Sequence, residues 1–273
     1  MAVTMAEISK LRTMTGAGMM DCKNALIEAN NDMEAAIEII RKKGQAVAAK
    51  RSDREASEGC VLAGANGGFA AVLALKCETD FVAKNADFIA LTQSILDLAL
   101  AEKPATLEDL RNLKLGERSV QDNITERIGI TGEKMELDFY EVVNGEAAVS
   151  YIHPGNKLAT IVAFNKAVDL HVGRDVAMQV AAMSPIALNR EAVPAKVIET
   201  ELEIGRDKAR EEGKPENMLD KIAQGRLNKF YQESTLVEQA FIKDAKMTVQ
   251  QYLTANDKEL KATAFKRVTL NQE

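Results

Sequence analysis

The chain has no tryptophan, only two histidines and three cysteines, and aromatic residues fill 4% of its 273 positions. Each shortage closes a class of function. Few aromatic rings argue against an extended surface for stacking bases. His153 and His171 stand alone, so general bases and metal ligands are scarce. Cys22, Cys60 and Cys77 are odd in number and never form Cys-x-x-Cys. That leaves neither a disulfide framework nor a zinc site and fits a reducing compartment, with the thiols as small buried hydrophobes. Gly16-Ala17-Gly18 runs into Met19-Met20-Asp21, and Gly213-Lys214 into Pro215, so neither dinucleotide nor phosphate loop is complete. Gly-x-Ser-x-Gly and His-Glu-x-x-His are absent. The longest apolar run lies within Phe69–Leu75, far short of the roughly 20 residues of a membrane span. The start of the chain carries Glu7 and no long apolar stretch, unlike a secretory leader. The expectation is a soluble cytoplasmic chain without catalytic residues, metal or cofactor, and with no membrane partner.

Charge points the same way. Thirty-five Lys and Arg face 41 Asp and Glu, a net charge of -6, which is the wrong balance for coating nucleic acid. At 46% hydrophobic and 28% charged, the chain has enough apolar residues to fold. Its length exceeds the size at which one core usually stops growing, so several modules are expected.

Residues 1–43 read as three short helices. Thr4 and Glu7 form a capping-box pattern before Ile8, Leu11 and Met14. Thr15-Gly16-Ala17-Gly18 breaks the chain before a helix with Met20, Ala25, Leu26 and Ile27. Asn30-Asn31-Asp32 turns into a third helix with Ala35, Ala36, Ile39 and Ile40 on one face. Residues 41–58 are polar and basic and read as a solvated linker, with a module boundary near residue 55. The period then changes to that of strands: Gly59–Gly64, a turn at Asn66-Gly67-Gly68, and Phe69–Leu75. Asp87 reads as the cap of a helix carrying Phe88, Leu91, Ile95 and Leu98. A second copy follows at an offset of 88 residues, pairing Leu73 with Ile161 in the strand Leu158–Phe164 and Asp87 with Asp175 before Val176–Met183. Ile198, Leu202, Gly205 and Ala209, then Met218, Ile222 and Gly225, space like the two seams of a helical hairpin that turns at Gly213-Lys214-Pro215. Leu236, Val237, Phe241, Ile242, Val249 and Leu253 return to a compact pattern, and Phe265, Val268 and Leu270 suit a last strand.

The expected fold is therefore α+β and multidomain. An N-terminal helical bundle plus linker covers 1–55, and a core N-subdomain covers 56–140. A core C-subdomain with a C-terminal module spans 141–189 and 230–273, and the inserted coiled-coil hairpin 190–229. The core is a duplication of small antiparallel sheets with covering helices.

Four stretches, in order, resemble the bacterial elongation factor Ts family: Leu11–Leu26 (LRTMTGAGMMDCKNAL), Cys77–Asn85 (CETDFVAKN), Asp175–Pro185 (DVAMQVAAMSP) and Leu236–Asp244 (LVEQAFIKD). The resemblance implies a guanine-nucleotide exchange factor for elongation factor Tu, binding it with GDP and without nucleotide. It implies that the bundle is ubiquitin-associated-like. It places Thr79, Asp80, Phe81 and Val82 in a loop that enters the partner beside its Mg²⁺ site, with Phe81 as an apolar wedge and Asp80 perturbing the polar network around metal and phosphate. It makes Arg12, Met19 and Met20 contacts to the GTPase domain. Two adjacent methionines cannot both face the core of so short a helix, and an exposed methionine adapts well to a partner. Ile128 and Gly129 match a further contact loop. His153 falls near a contact of the second subdomain, in a His153-Pro154-Gly155 setting that departs from the family's usual form. Self-association through the hairpin stays open. So do two other classes: an adaptor that binds without changing a nucleotide state, and an enzyme using Cys22 or Cys77, for which no neighbouring base is visible.

Overall fold

The computed structural model describes residues 3–271. The chain divides into two compact units, one formed by Met1–Leu62, Leu73–Tyr140 and Leu270–Glu273, the other by Ala63–Val72 and Glu141–Thr269.

In the first unit, α1 (Met5–Thr15), α2 (Met19–Glu28) and α3 (Met33–Lys50) surround one cluster built on Ile8, Leu11, Cys22, Ala25, Leu26 and Ala36. The capping box forms as expected, with Thr4 and Glu7 satisfying each other's backbone groups at the start of α1. Asp32 caps α3 through the amide of Ala35. The expected linker is shorter than 41–58, because α3 runs on to Lys50. The reason lies in packing. Gly44 is where α3 meets a later helix, and Ala46-Val47-Ala48-Ala49 carries the helix onward.

β1 (Glu58–Asn66) and β2 (Phe69–Cys77) form a hairpin around Gly67-Gly68, and β5 (Met135–Asn144) completes a sheet of order β1-β2-β5. Between β2 and β5 come α4 (Asp80–Ala83), α5 (Ala86–Glu102), α6 (Leu107–Asn112), the short ribbon β3 (Lys114–Leu115) with β4 (Arg118–Ser119), and α7 (Val120–Thr131). Nearly every residue of β2 is buried, which is why it reads as a continuous apolar run: a central strand is covered on both faces. The cap of α5 is Asn85, not Asp87. The Asn85 side chain accepts from the amides of Asp87 and Phe88, and Asp87 sits in the first turn, facing Arg127 at 3.4 Å.

In the second unit, β6 (Ala147–Ile152), β7 (Leu158–Phe164) and the returning β10 (Ala262–Thr269) form an antiparallel sheet of order β10-β7-β6, again with the wholly buried strand in the middle. The helix expected at Val176 begins six residues earlier, as α8 (Leu170–Met183). Asp169 caps it through the amides of His171 and Val172. Asp175 is not a cap. It is buried within α8, takes a hydrogen bond from Tyr252 Oη at 2.9 Å and pairs with Lys243 Nζ at 2.6 Å. The two copies therefore match at the strands but not at the helix starts, since Asn85 and Asp169 stand four residues closer in sequence than Leu73 and Ile161.

α9 (Ala195–Glu211) and α10 (Leu219–Ser234) make the hairpin, turning at Gly213. Gly205 and Ala209 lie in the seam as expected. The return seam is Leu219, Ala223, Leu227 and Tyr231 rather than Met218, Ile222 and Gly225. A tight turn at Glu216–Met218 precedes α10 and shifts its phase by one residue, leaving Gly225 in the open. β8 (Ala240–Phe241), β9 (Asp244–Thr248) and α11 (Val249–Asn256) then supply Phe241, Val249 and Leu253 to a core shared with α8 and β7, whereas Ile242 stays exposed.

Candidate functional site

β2 carries the chain out of the first sheet at Cys77, and the next eight residues reach α5. Thr79 is the hinge of this link. It caps the single turn α4, its hydroxyl accepting from the amide of Val82 at 3.4 Å, and the Cys77 thiol donates to its carbonyl at 3.2 Å. The Glu133 carboxylate takes both the Thr79 amide (3.0 Å) and the Thr79 hydroxyl (2.6 Å). Ala83 is buried beneath the turn, Val82 is half-buried, and Asn85 starts α5 directly afterwards. The backbone is thus fixed at both ends. On this support Phe81 is 84% exposed. Leaving such a ring in water forgoes about 1.5–3 kcal/mol of burial. Beside it, Asp80 pairs with Lys84 Nζ at 2.7 Å, a hydrogen bond that raises the lysine pKa.

The bundle presents a second apolar group. Gly16 ends α1 in the left-handed region (φ 68°), a conformation that glycine adopts without strain. Ala17 plugs into the core, and its amide donates to the Thr15 hydroxyl at 3.3 Å. Gly18 caps α2, which starts with Met19 and Met20, exposed at 36% and 64%. Arg12 is exposed as well. Met14 and Ile27, which share the apolar spacing of α1 and α2, are exposed at 55% each. Only burial could have told them from the core residues that share their spacing.

Ile128 and Gly129 are placed differently. The Ile128 side chain is buried at 5% exposure and offers no surface. A Cβ on Gly129 would stand 2.6 Å from the Gly44 Cα, so this glycine lets α3 and α7 touch backbone to backbone. Ile130, next along α7, lies against Gly16. One helix therefore reaches the turn that presents the methionines, and the link after it holds Thr79. His153 belongs to the second unit. It is exposed on the turn between β6 and β7, with Nδ1 3.0 Å from Tyr151 Oη.

The two remaining motif stretches meet each other. Beyond the Asp175–Lys243 pair, the buried Gln179 donates to the Ala240 carbonyl at 3.1 Å and accepts from the Ile242 amide at 2.8 Å. These residues stitch α8 to the segment after α10. The thiols offer no nucleophile: burial raises the Cys22 pKa and pushes Cys77 up to about 12, so both stay protonated at neutral pH. Among the described residues, no group of His, Cys, Asp and Glu could hold a metal, and no helix is long and apolar enough to cross a membrane.

Known proteins resemble this chain over its whole length. A family model described as elongation factor TS matches residues 78–272. The elongation factor Ts of Porphyromonas gingivalis is 61% identical over 274 residues, covering 100% of both chains. That of Azobacteroides pseudotrichonymphae is 53% identical over 274 residues, again covering 100% of both. That of Amoebophilus asiaticus is 53% identical over 273 residues, covering 98% of this chain and 99% of its own.

Proposed function

This chain belongs to the elongation factor Ts family, and on that premise we propose that it is the guanine-nucleotide exchange factor of elongation factor Tu, with no chemistry of its own. An exchange factor needs a surface that binds the GTPase without nucleotide better than the GTPase with GDP. Coupling between the two ligands is reciprocal, so such binding weakens GDP by the same factor. The exposed Phe81, held on a fixed turn, is the observation that carries this reading. Phe81 is the wedge, Asp80 disturbs the partner's metal and phosphate network, and Thr79 and Val82 hold the turn. Arg12, Met19 and Met20 dock the bundle, which is of the ubiquitin-associated kind, on the GTPase domain. Ile128 and Gly129 act by setting α7 against α3, and His153 contacts the partner from the second unit. The division at 1–55, 56–140, 141–189 with 230–273, and 190–229 is the modular form of the same reading.

The test is release of labelled GDP from elongation factor Tu. Catalytic amounts of the chain accelerate release, and the double variant Asp80→Ala with Phe81→Ala loses most of that acceleration while still folding. A double variant as fast as the parent removes the wedge. A parent chain that binds the partner without changing release makes it an adaptor.

A further inference from the structure

Two carboxylates flank the Phe81 turn in a crossed arrangement. Glu133 reaches back to Thr79 and takes its amide and hydroxyl, at 3.0 and 2.6 Å. Glu78, the residue before Thr79, reaches the other way and takes the amide of Lys134 at 2.7 Å. The link between β2 and α4 and the link between α7 and β5 thus exchange side-chain-to-backbone hydrogen bonds, each to a charged acceptor, the stronger kind. Glu78 is little exposed, at 13% of its side chain, and it is neutralised by Arg51 at 3.3 Å and Arg54 at 3.6 Å. Lys134 Nζ donates in turn to the Ser52 carbonyl at 2.8 Å. Arg51 and Arg54, just past α3, belong to the basic stretch that read as a solvated linker, and here their charge has a task.

The geometry points to Glu133 and Glu78, backed by Arg51, as positioning residues for nucleotide exchange: they lock Thr79, and with it the Phe81 turn, in one pose before the partner arrives. This rests on the exchange-factor reading above. A turn already ordered loses less freedom on binding, so the clamp acts on the step in which the ring is inserted, more than on docking of the bundle. Removing the Glu133 carboxylate leaves the amide and hydroxyl of Thr79 without their acceptor and frees the turn.

The absence of tryptophan supplies the reporter. In a Phe81→Trp chain, fluorescence anisotropy reads the motion of that one side chain in the free protein. Adding Glu133→Ala lowers the anisotropy, and Glu133→Gln, which keeps a neutral oxygen acceptor, falls between. In the chain with Phe81 intact, Glu133→Ala lowers the maximal rate of stimulated GDP release about tenfold, the scale of a lost charged hydrogen bond. The concentration giving half the maximal rate stays within about twofold, because docking is untouched. Glu133→Gln recovers part of the rate, and Arg51→Ala lowers it less than Glu133→Ala. Unchanged anisotropy in a folded Glu133→Ala chain overturns the clamp, and an unchanged maximal rate overturns its role in exchange. Should Glu133→Ala fail to fold, the same two readings on Glu133→Gln decide. A parent chain without effect on release sinks the exchange role, and the anisotropy difference then still judges the clamp alone.

Discussion

The crossing from β2 to α5 and the crossing from β7 to α8 are built on one plan and differ in one detail. Each begins at the central strand of a three-stranded sheet, with Leu73 in one and Ile161 in the other at 0% exposure. Each ends at a helix whose first amides are taken by a side chain, Asn85 or Asp169. The second crossing makes this passage through residues 165–169 alone. The first inserts a turn of helix, and that turn carries Phe81 out into solvent. A strand-to-helix crossing of this design folds without Thr79-Asp80-Phe81-Val82, so packing does not call for the exposed ring, which supports the proposed role in recognition.

Paired substitutions press on this comparison. The largest effect falls where the crossings are alike: Leu73→Ala and Ile161→Ala each cost about 2–5 kcal/mol in chemical denaturation, the range for a truncated core residue. Next, Phe81→Ala slows stimulated GDP release about a hundredfold, or about 2.7 kcal/mol in the barrier, in a stopped-flow assay. Third, Asn85→Ala and Asp169→Ala each lower stability by about 1 kcal/mol, and a large inequality between them would break the analogy of the caps. Smallest is the stability change of Phe81→Ala, within about 0.5 kcal/mol, as for an exposed side chain outside the core. A melting point lowered as far as that of Leu73→Ala would make Phe81 a packing residue.

Alkaline pH probes one group in each unit, the buried Cys77 and the half-buried Tyr252. Burial pushes the Cys77 thiol from its ordinary 9.0 up to about 12, and burial with the hydrogen bond to Asp175 pushes Tyr252 from 10.0 up to about 12. Folding favours the neutral form of both, so their contributions are complete below the ordinary values and are lost as pH rises toward 12. Denaturation midpoints should fall steadily across that interval. A flat profile would mean that neither group is held neutral by the fold.

Elements with a strong local pattern were legible in the sequence. The all-apolar strands, the Thr4 capping box and the Gly67 and Gly213 turns all stand where spacing put them. Caps and phases were less so. Asp87 and Asp175 carry the right chemistry for a cap, but neighbours at Asn85 and Asp169 took the position, and Asp175 went to a buried pairing that nothing local announces. Gly44 gives no local sign of its packing role, because its partner, Gly129, lies 85 residues away. Of the candidate site, the family motifs located the Phe81 turn and the methionine pair. Glu133, which holds Thr79, sits in no recognised stretch and could be found only in three dimensions.

The sequence by itself determined the apolar strands, the helical hairpin and their order, the scarcity of His and Cys, and the family to which the chain belongs, because composition, hydrophobic period, turn residues and motif identity are local properties. The tertiary structure decided which apolar residues face water, so that Phe81 and Met20 are exposed while Ile128 is not. It also decided which charges work together, joining Arg51, Glu78 and Lys134 across more than 80 positions. Burial and long-range pairing depend on what the rest of the chain brings alongside, and no window of sequence contains that.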